Sequence, residues 1–300
     1  MIKRIIPAAA LSFLIIAILV YQTLDISAKP RLRYHEVTGV KPLSLLAATK
    51  SAGQSKARIG SSGTQRTLSG NGIPVHQVGA FPNPGNPNSI AAQTVTLRMP
   101  LQPKFAAQPR ALSFGWNFGV SVEGVVFDPL AAEFWHGDPQ SGWSYNALGG
   151  TIALGLDENY AHVQPTGSYH YHGIPFGLLE LAGWSDETHS PLEGYAADGF
   201  PIYALNGIID GALATARASY QLKSGQRPGG DQPGGAYDGT FLEDFEYVEG
   251  AGNLDQCNGA WTVSAEFPSG TYAYFLTRDY PVIPRCFKGT PDDSFRFAQR

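Results

Sequence analysis

Thirty-five glycines and twenty-two prolines are spread through this 300-residue chain, and they leave little room for long helices. Proline removes a backbone donor and glycine opens the left-handed region, so both residues punctuate structure at turns. The run Phe81-Pro82-Asn83-Pro84-Gly85-Asn86-Pro87-Asn88 is too broken for a regular element. Short segments between such breaks alternate in strand fashion: Gln93 to Arg98, Phe118 to Phe127 with Gly124 as a turn or bulge, and Tyr272 to Thr277. Ala57 to Leu68, with Gly60 and Gly63 at turn positions, reads as an opening hairpin. Asp128 to Trp135 predicts a short helix with Asp128 as N-cap and Pro129 at the first helical position, and Gly207 to Ala218 is a second helical candidate. The pattern predicts a mainly β fold, an antiparallel sandwich-like or barrel-like body with long ordered loops and a few short helices.

Charge divides the chain. Residues 1–70 hold ten Lys and Arg against two acids, a balance of +8, whereas residues 71–300 hold eleven against twenty-three, a balance of −12. An acidic body speaks against nucleic acid as a partner. At the N-terminus, Lys3 and Arg4 precede the apolar run Ile5 to Tyr21, which reads as a signal peptide or signal anchor over residues 1–28. Lys29, Arg31 and Arg33 beyond the run pull against that orientation. Residues 29–56, basic and rich in Ser, Ala and Gly, read as a flexible tether, and residues 57–300 as a single domain. Cys257 and Cys286 are the two cysteines, and an even pair in a chain with an export element predicts one disulfide. A thiolate pair on a metal is the competing reading, but the pair lacks a CxxC spacing. The expected location is outside the cytoplasm: periplasmic, secreted or anchored on a membrane facing out.

The chemistry-bearing stretch is His162 to Gly173. If Tyr169 to His172 is extended, His170 and His172 share one face while Tyr169 and Tyr171 share the other. Seven residues separate His162 from His170, and the Pro165-Thr166-Gly167 turn between them folds His162 back toward the pair. Three imidazoles on such a scaffold suit zinc or copper. Between Ala111 and Ala216 there is no Lys or Arg, but there are twelve carboxylates and five of the seven histidines. That composition favours an imported cation. Asp198, in Ala197-Asp198-Gly199, and His189 are candidates to complete the ligand shell. Asp-Gly is equally a turn, and His189 equally a solvated loop residue. If the ion is catalytic it activates water for hydrolysis, with Asp157 or Glu158 as base.

Other constellations are weaker. Asp238, Glu243, Asp244, Glu246, Glu249 and Asp255 lie among glycines, either as an oxygen-rich calcium loop or as a solvated acidic surface; the spacing does not match a helix-loop-helix calcium site. No Gly-x-Ser-x-Gly, phosphate-binding glycine loop or dinucleotide fingerprint is present. The five tryptophans offer an alternative function, a non-catalytic module that stacks on envelope glycans or other extracellular polymers while the histidines serve the core.

Taken together, several blocks resemble the YHYH-domain family, named for a tetrapeptide present here as Tyr169-His170-Tyr171-His172. The similarity takes in Asn71-Gly72-Ile73-Pro74, Trp116-Asn117-Phe118-Gly119-Val120 and Leu156-Asp157-Glu158-Asn159. It continues through Ala197-Asp198-Gly199-Phe200-Pro201-Ile202-Tyr203, Leu254-Asp255-Gln256-Cys257-Asn258-Gly259 and Pro281-Val282-Ile283-Pro284-Arg285-Cys286, and runs over roughly residues 60–295. The resemblance implies an exported protein and no established activity. Gln256 stands where an acidic residue is commoner in the family.

Overall fold

The computed structural model describes residues 43–297. The segments expected to carry the signal or anchor, and the first part of the tether, lie outside the described residues. At the centre is an eight-stranded sheet. Its strands run in the spatial order Gly259–Thr262, Thr271–Leu276, Pro201–Ala204, Gly194–Ala196, Gly119–Ser121, Val126–Phe127, Tyr169–Tyr171 and Ala161–Val163. The sheet is open, with Gly259–Thr262 at one edge and Ala161–Val163 at the other, and is not closed into a barrel. Two of its seven junctions are parallel, Thr271–Leu276 on Pro201–Ala204 and Tyr169–Tyr171 on Val126–Phe127. The remaining junctions are antiparallel, so the protein is mainly β with few short helices, as the turn density implies.

Several elements follow their sequence signals. Arg58–Ser62 and Gln65–Gly70 form the opening hairpin, extended to three strands by Val95–Pro100. Gly119–Ser121 and Val126–Phe127 form a second hairpin, and Gly124 takes the turn at φ 89°. Both helical expectations fail. Residues 207–215 are instead a hairpin, Asn206–Ile209 against Ala212–Thr215. Asp210 (φ 52°) and Gly211 (φ 81°) supply the two left-handed positions that a tight hairpin turn requires. After Asp128 the chain makes no α-helix, because the Asp128 N–H continues the sheet by donating to the Tyr171 carbonyl (2.9 Å). A short helix forms where none was expected, at Phe176–Leu181, burying Phe176, Leu178 and Leu179.

Part of the 29–56 segment is paired with later residues. Lys50–Ser51 pairs with Gln77–Val78, and Leu46 exchanges backbone hydrogen bonds with Leu156 and Glu158. The Ser, Ala and Gly content that suggested a tether is compatible with an ordered strand once its backbone groups find partners.

Aromatic rings fill the sheet's packing layer. Phe118, Phe127, Tyr171, Tyr274, Phe275 and Phe287 are sequestered from solvent. Phe118 stacks on Phe287 with centroids 5.3 Å apart and meets Tyr274 edge-on. Cys257 and Cys286 form the expected disulfide. It links the approach to the Gly259–Thr262 edge strand to Cys286–Phe287, which pairs with Arg110–Ala111. No helix among the described residues is long and apolar enough to cross a membrane.

Candidate metal centre

The hairpin formed by Ala161–Val163 and Tyr169–Tyr171 builds the site. Its register places His170 directly opposite His162, Tyr169 opposite Val163 and Tyr171 opposite Ala161. The loop closes through Gln164, whose N–H donates to the Ser168 carbonyl, and Gly167, whose N–H donates to the Gln164 carbonyl. Gly167 adopts φ +85°, and a Cβ there would meet the Ala91 Cβ at 2.6 Å. A side chain at this position is therefore excluded both by the backbone and by its neighbour.

Ala161–Val163 is an edge strand, and the turn-dense Phe81–Asn88 stretch covers it. Asn86 and Asn88 each donate a side-chain N–H to the Val163 carbonyl, at 2.9 and 2.8 Å. Reciprocal backbone bonds between Asn83 and Asn86 hold that stretch in shape. The asparagines thus occupy the open side of the strand that carries His162.

Alternation then separates two kinds of chemistry. On one face the His162, His170 and His172 ring nitrogens gather within 4.8 Å of one another. The His170 and His172 Nε2 atoms are 3.0 Å apart, and those of His172 and His162 are 3.1 Å apart. His162 Nδ1–H donates to the Leu154 carbonyl (2.8 Å), and His170 Nδ1–H to the Ser168 carbonyl (3.3 Å). Those bonds set the tautomer and leave both Nε2 lone pairs pointing inward. One N–H on His172 Nε2 can satisfy one of these two acceptors, and that tautomer leaves its Nδ1 without a proton. His172 Nδ1 is itself buried and unpartnered. The cluster therefore holds more acceptors than donors, an imbalance that a cation at the centre would correct.

Geometry agrees with such an ion. Zinc–imidazole bonds of about 2.0–2.1 Å in tetrahedral arrangement separate neighbouring nitrogens by about 3.3 Å. The His170–His172 and His172–His162 spacings require a spread of only a few tenths of an ångström, and the third pair of nitrogens lies within 4.8 Å. Burial holds the His162 imidazole below its ordinary pKa. Burial, followed by the neighbouring imidazoles, holds His170 and His172 well below theirs. The lowered values favour the uncharged rings that a metal ion would require.

The opposite face is filled by tyrosine chemistry. Tyr171 donates its hydroxyl to Glu123 in a very short contact, and the same oxygen lies 2.6 Å from His76 Nε2. Glu123 also accepts from the Val75 N–H at 2.7 Å. Burial pulls the His76 pKa down, but its hydrogen bond to Glu123 and the charge there outweigh it and the net shift is upward. Tyr169 donates to Asp157 at 2.8 Å. Glu193 is buried nearby with both carboxylate oxygens unpartnered, and burial raises it well above the usual carboxylate range.

Of the residues proposed for the site from sequence, His162, His170 and His172 are brought together and the others are not. Asp157 accepts from the N–H groups of Gly79 and Asn159 and from Tyr169, on the tyrosine side of the strand, so it serves packing there. Glu158 accepts from the Ala48 N–H. Asp198 closes the turn between Gly194–Ala196 and Pro201–Ala204 and accepts from the Tyr274 hydroxyl (2.6 Å) and the Gly289 N–H (2.8 Å). Burial pushes its pKa up to about 6. His189 has both ring nitrogens engaged, by the Ser190 carbonyl at 2.7 Å and the Thr262 hydroxyl at 2.9 Å, and its ring lies edge-on to Tyr203. Part of the acidic stretch is paired with basic side chains from elsewhere in the chain: Asp244 and Asp238 with Arg227, and Asp255 with Lys288 at 3.0 Å.

Two residues that sequence reasoning did not assign to the site adjoin it. Tyr169–Tyr171 runs parallel to Val126–Phe127 with His170 beside Val126, so the next step in register sets Asp128 beside His172 on the same face. Burial pushes the Asp128 pKa up to about 7. Arg285 lies within electrostatic reach of both His172 and Asp128. The cation-free segment is therefore not a cation-free site. Asp128 had no local signal, because a parallel strand pairing brings it to the histidines. Arg285 had none, because it comes from outside that segment.

Residues 96–289 match the family model described as YHYH protein. No curated protein and no solved structure matches the chain. With more than half its length within the family model and the four-residue signature at the centre of the triad, the chain belongs to the YHYH protein family.

Proposed function

We propose that this protein binds a transition metal ion, copper or zinc, through the Nε2 atoms of His162, His170 and His172, and does so outside the cytoplasm. The observation that carries this reading is the convergence of three imidazole nitrogens, from buried His170 and His172 and half-buried His162, with two of the rings tied through Nδ1 to backbone carbonyls. Imidazole donors suit both metals, and three protein ligands leave a fourth position free for water or substrate. An ion with that open position polarises a carbonyl or activates water for hydrolysis. A base for such chemistry is sought at Asp128, on the histidine face, in place of Asp157. The disulfide supports an oxidising compartment.

The glycan-binding alternative has less support. Among the described residues, Trp261 is the one exposed tryptophan, at 60%.

Elemental analysis of purified protein beside His170→Ala/His172→Ala tests the proposal. We expect one equivalent of metal in the parent and none in the variant, with circular dichroism unchanged. A parent that takes up neither zinc nor copper after dialysis against either ion ends this reading.

A further inference from the structure

Arg285 presents a charge without a counterpart. Its Nε and Nη1 atoms are shielded from solvent and have no hydrogen-bond partner. Its guanidinium lies over the Tyr280 ring at 5.6 Å, and those two nitrogens have no acceptor. Asp128 is within electrostatic range, but no carboxylate among the described residues lies within ion-pair distance of Arg285. A shielded cation left in this state is costly, by several kcal/mol in general. A fold retains such a group readily when a ligand supplies the missing acceptor.

The location gives that ligand a use. His172, whose Nδ1 is likewise shielded and unpartnered, is within reach of the Arg285 charge. Arg285 as a residue keeps partial exposure, whereas His172 is only 3% exposed. Arg285 is therefore the more accessible of the two residues. Cys286 follows immediately, and its disulfide to Cys257 fixes the backbone from which Arg285 projects.

We propose that Arg285 forms a subsite for a small oxyanion, a carboxylate or phosphate group, beside the histidine triad. Guanidinium is suited to this role because its planar N–H groups match the oxygen spacing of both anions. As a site for a substrate or co-ligand of the bound ion, it rests on the metal reading above. Its evidence, the two unpartnered guanidinium nitrogens, is separate.

The test titrates metal-free protein with formate and, in parallel, with inorganic phosphate in low-chloride buffer, read by calorimetry and by thermal midpoint. Saturable binding of at least one anion is expected, and the stronger of the two distinguishes a carboxylate from a phosphate site. Arg285→Gln should weaken it by roughly tenfold or more, Arg285→Lys by less, and the exposed control Arg217→Gln not at all. In cobalt-loaded protein the same anion should shift the visible bands of the parent and not those of Arg285→Gln. Equal binding by Arg285→Gln, or no saturable binding by the parent in either form, overturns the proposal. If Arg285→Gln does not fold, the parent titration and Arg285→Lys decide it. Metal content measured on the same preparations separates the two ideas: Arg285-dependent anion binding without metal uptake sinks the metal reading alone, and metal uptake without anion binding sinks the subsite alone.

Discussion

His162 lies directly across an antiparallel strand pair from His170, and the two rings are 4.6 Å apart between centroids. Cross-strand pairing therefore does what a long-range fold would otherwise have to do. Two of the imidazoles are set by one hairpin, and the third follows two residues later on the same face. Because the geometry is local, loss of a single ring should be felt strongly. His170→Ala is expected to lower affinity for zinc or copper by more than about hundredfold, since even partners outside the ligand set matter by 10–100-fold. Competition against a chelator of known affinity checks this.

Gly167 permits the loop that brings the strands together. Its φ of +85° and the 2.6 Å approach of a Cβ to Ala91 mean that Gly167→Ala must move the loop. We expect a loss of about 1–3 kcal/mol in stability, together with weaker metal binding. Urea denaturation and metal titration of one preparation give both numbers. A variant with unchanged affinity would show that the loop does not set His162.

Tyr171→Phe removes the hydroxyl that joins Glu123 and His76. It leaves two buried polar groups short of a partner and should cost about 1–3 kcal/mol. Metal stoichiometry should stay unchanged, because the phenol faces away from the triad. Loss of the ion in this variant would argue that the two faces are coupled.

Acid should destabilise the metal-free protein through the histidines. Their ordinary value is 6.5, and burial holds His170 and His172 well below it in the fold. Above that value neither the folded nor the unfolded chain binds a proton at these rings, so they contribute nothing to the pH dependence. Below it the unfolded chain takes up protons that the fold refuses, and stability falls as pH drops. Asp128 and Asp198, raised from 3.8 to about 7 and about 6, act in the opposite sense, adding stability as the pH falls toward 4. Comparison with His170→Asn/His172→Asn isolates the histidine part. Between pH 6.5 and 5 the parent should lose more stability than the variant in urea melts of metal-free protein, and parallel curves would refute the assignment.

Removal of the disulfide with Cys257→Ala/Cys286→Ala opens a loop with a sequence separation of 29 residues. The chain-entropy estimate for such a loop is about 3–4 kcal/mol. Chemical denaturation of the two proteins measures it.

Much of this architecture was legible because it is short-range. The period of two in Tyr169 to His172 and the Pro165-Thr166-Gly167 turn are sufficient to assemble the triad. The hairpins around Gly63 and Gly124 are legible for the same reason. Asp198 and His189 share the triad's composition but sit at a different part of the sheet, and chemical type alone cannot report position. The hairpin at Asn206–Ile209 was hidden by a helix-compatible run, although Asp210-Gly211 carried the turn signal. Parallel pairing of Tyr169–Tyr171 with Val126–Phe127 leaves no local trace, which is why Asp128 was read as a helix cap. Arg285 required the whole topology.

The tetrapeptide at the sheet's end is two interleaved messages. Odd positions specify a dry phenol network and even positions an imidazole cluster, so slipping the strand by one residue would exchange the two environments and satisfy neither. Spacing in such a segment matters as much as identity: an inserted or deleted residue between Tyr169 and His172 should be more damaging than any single replacement within it.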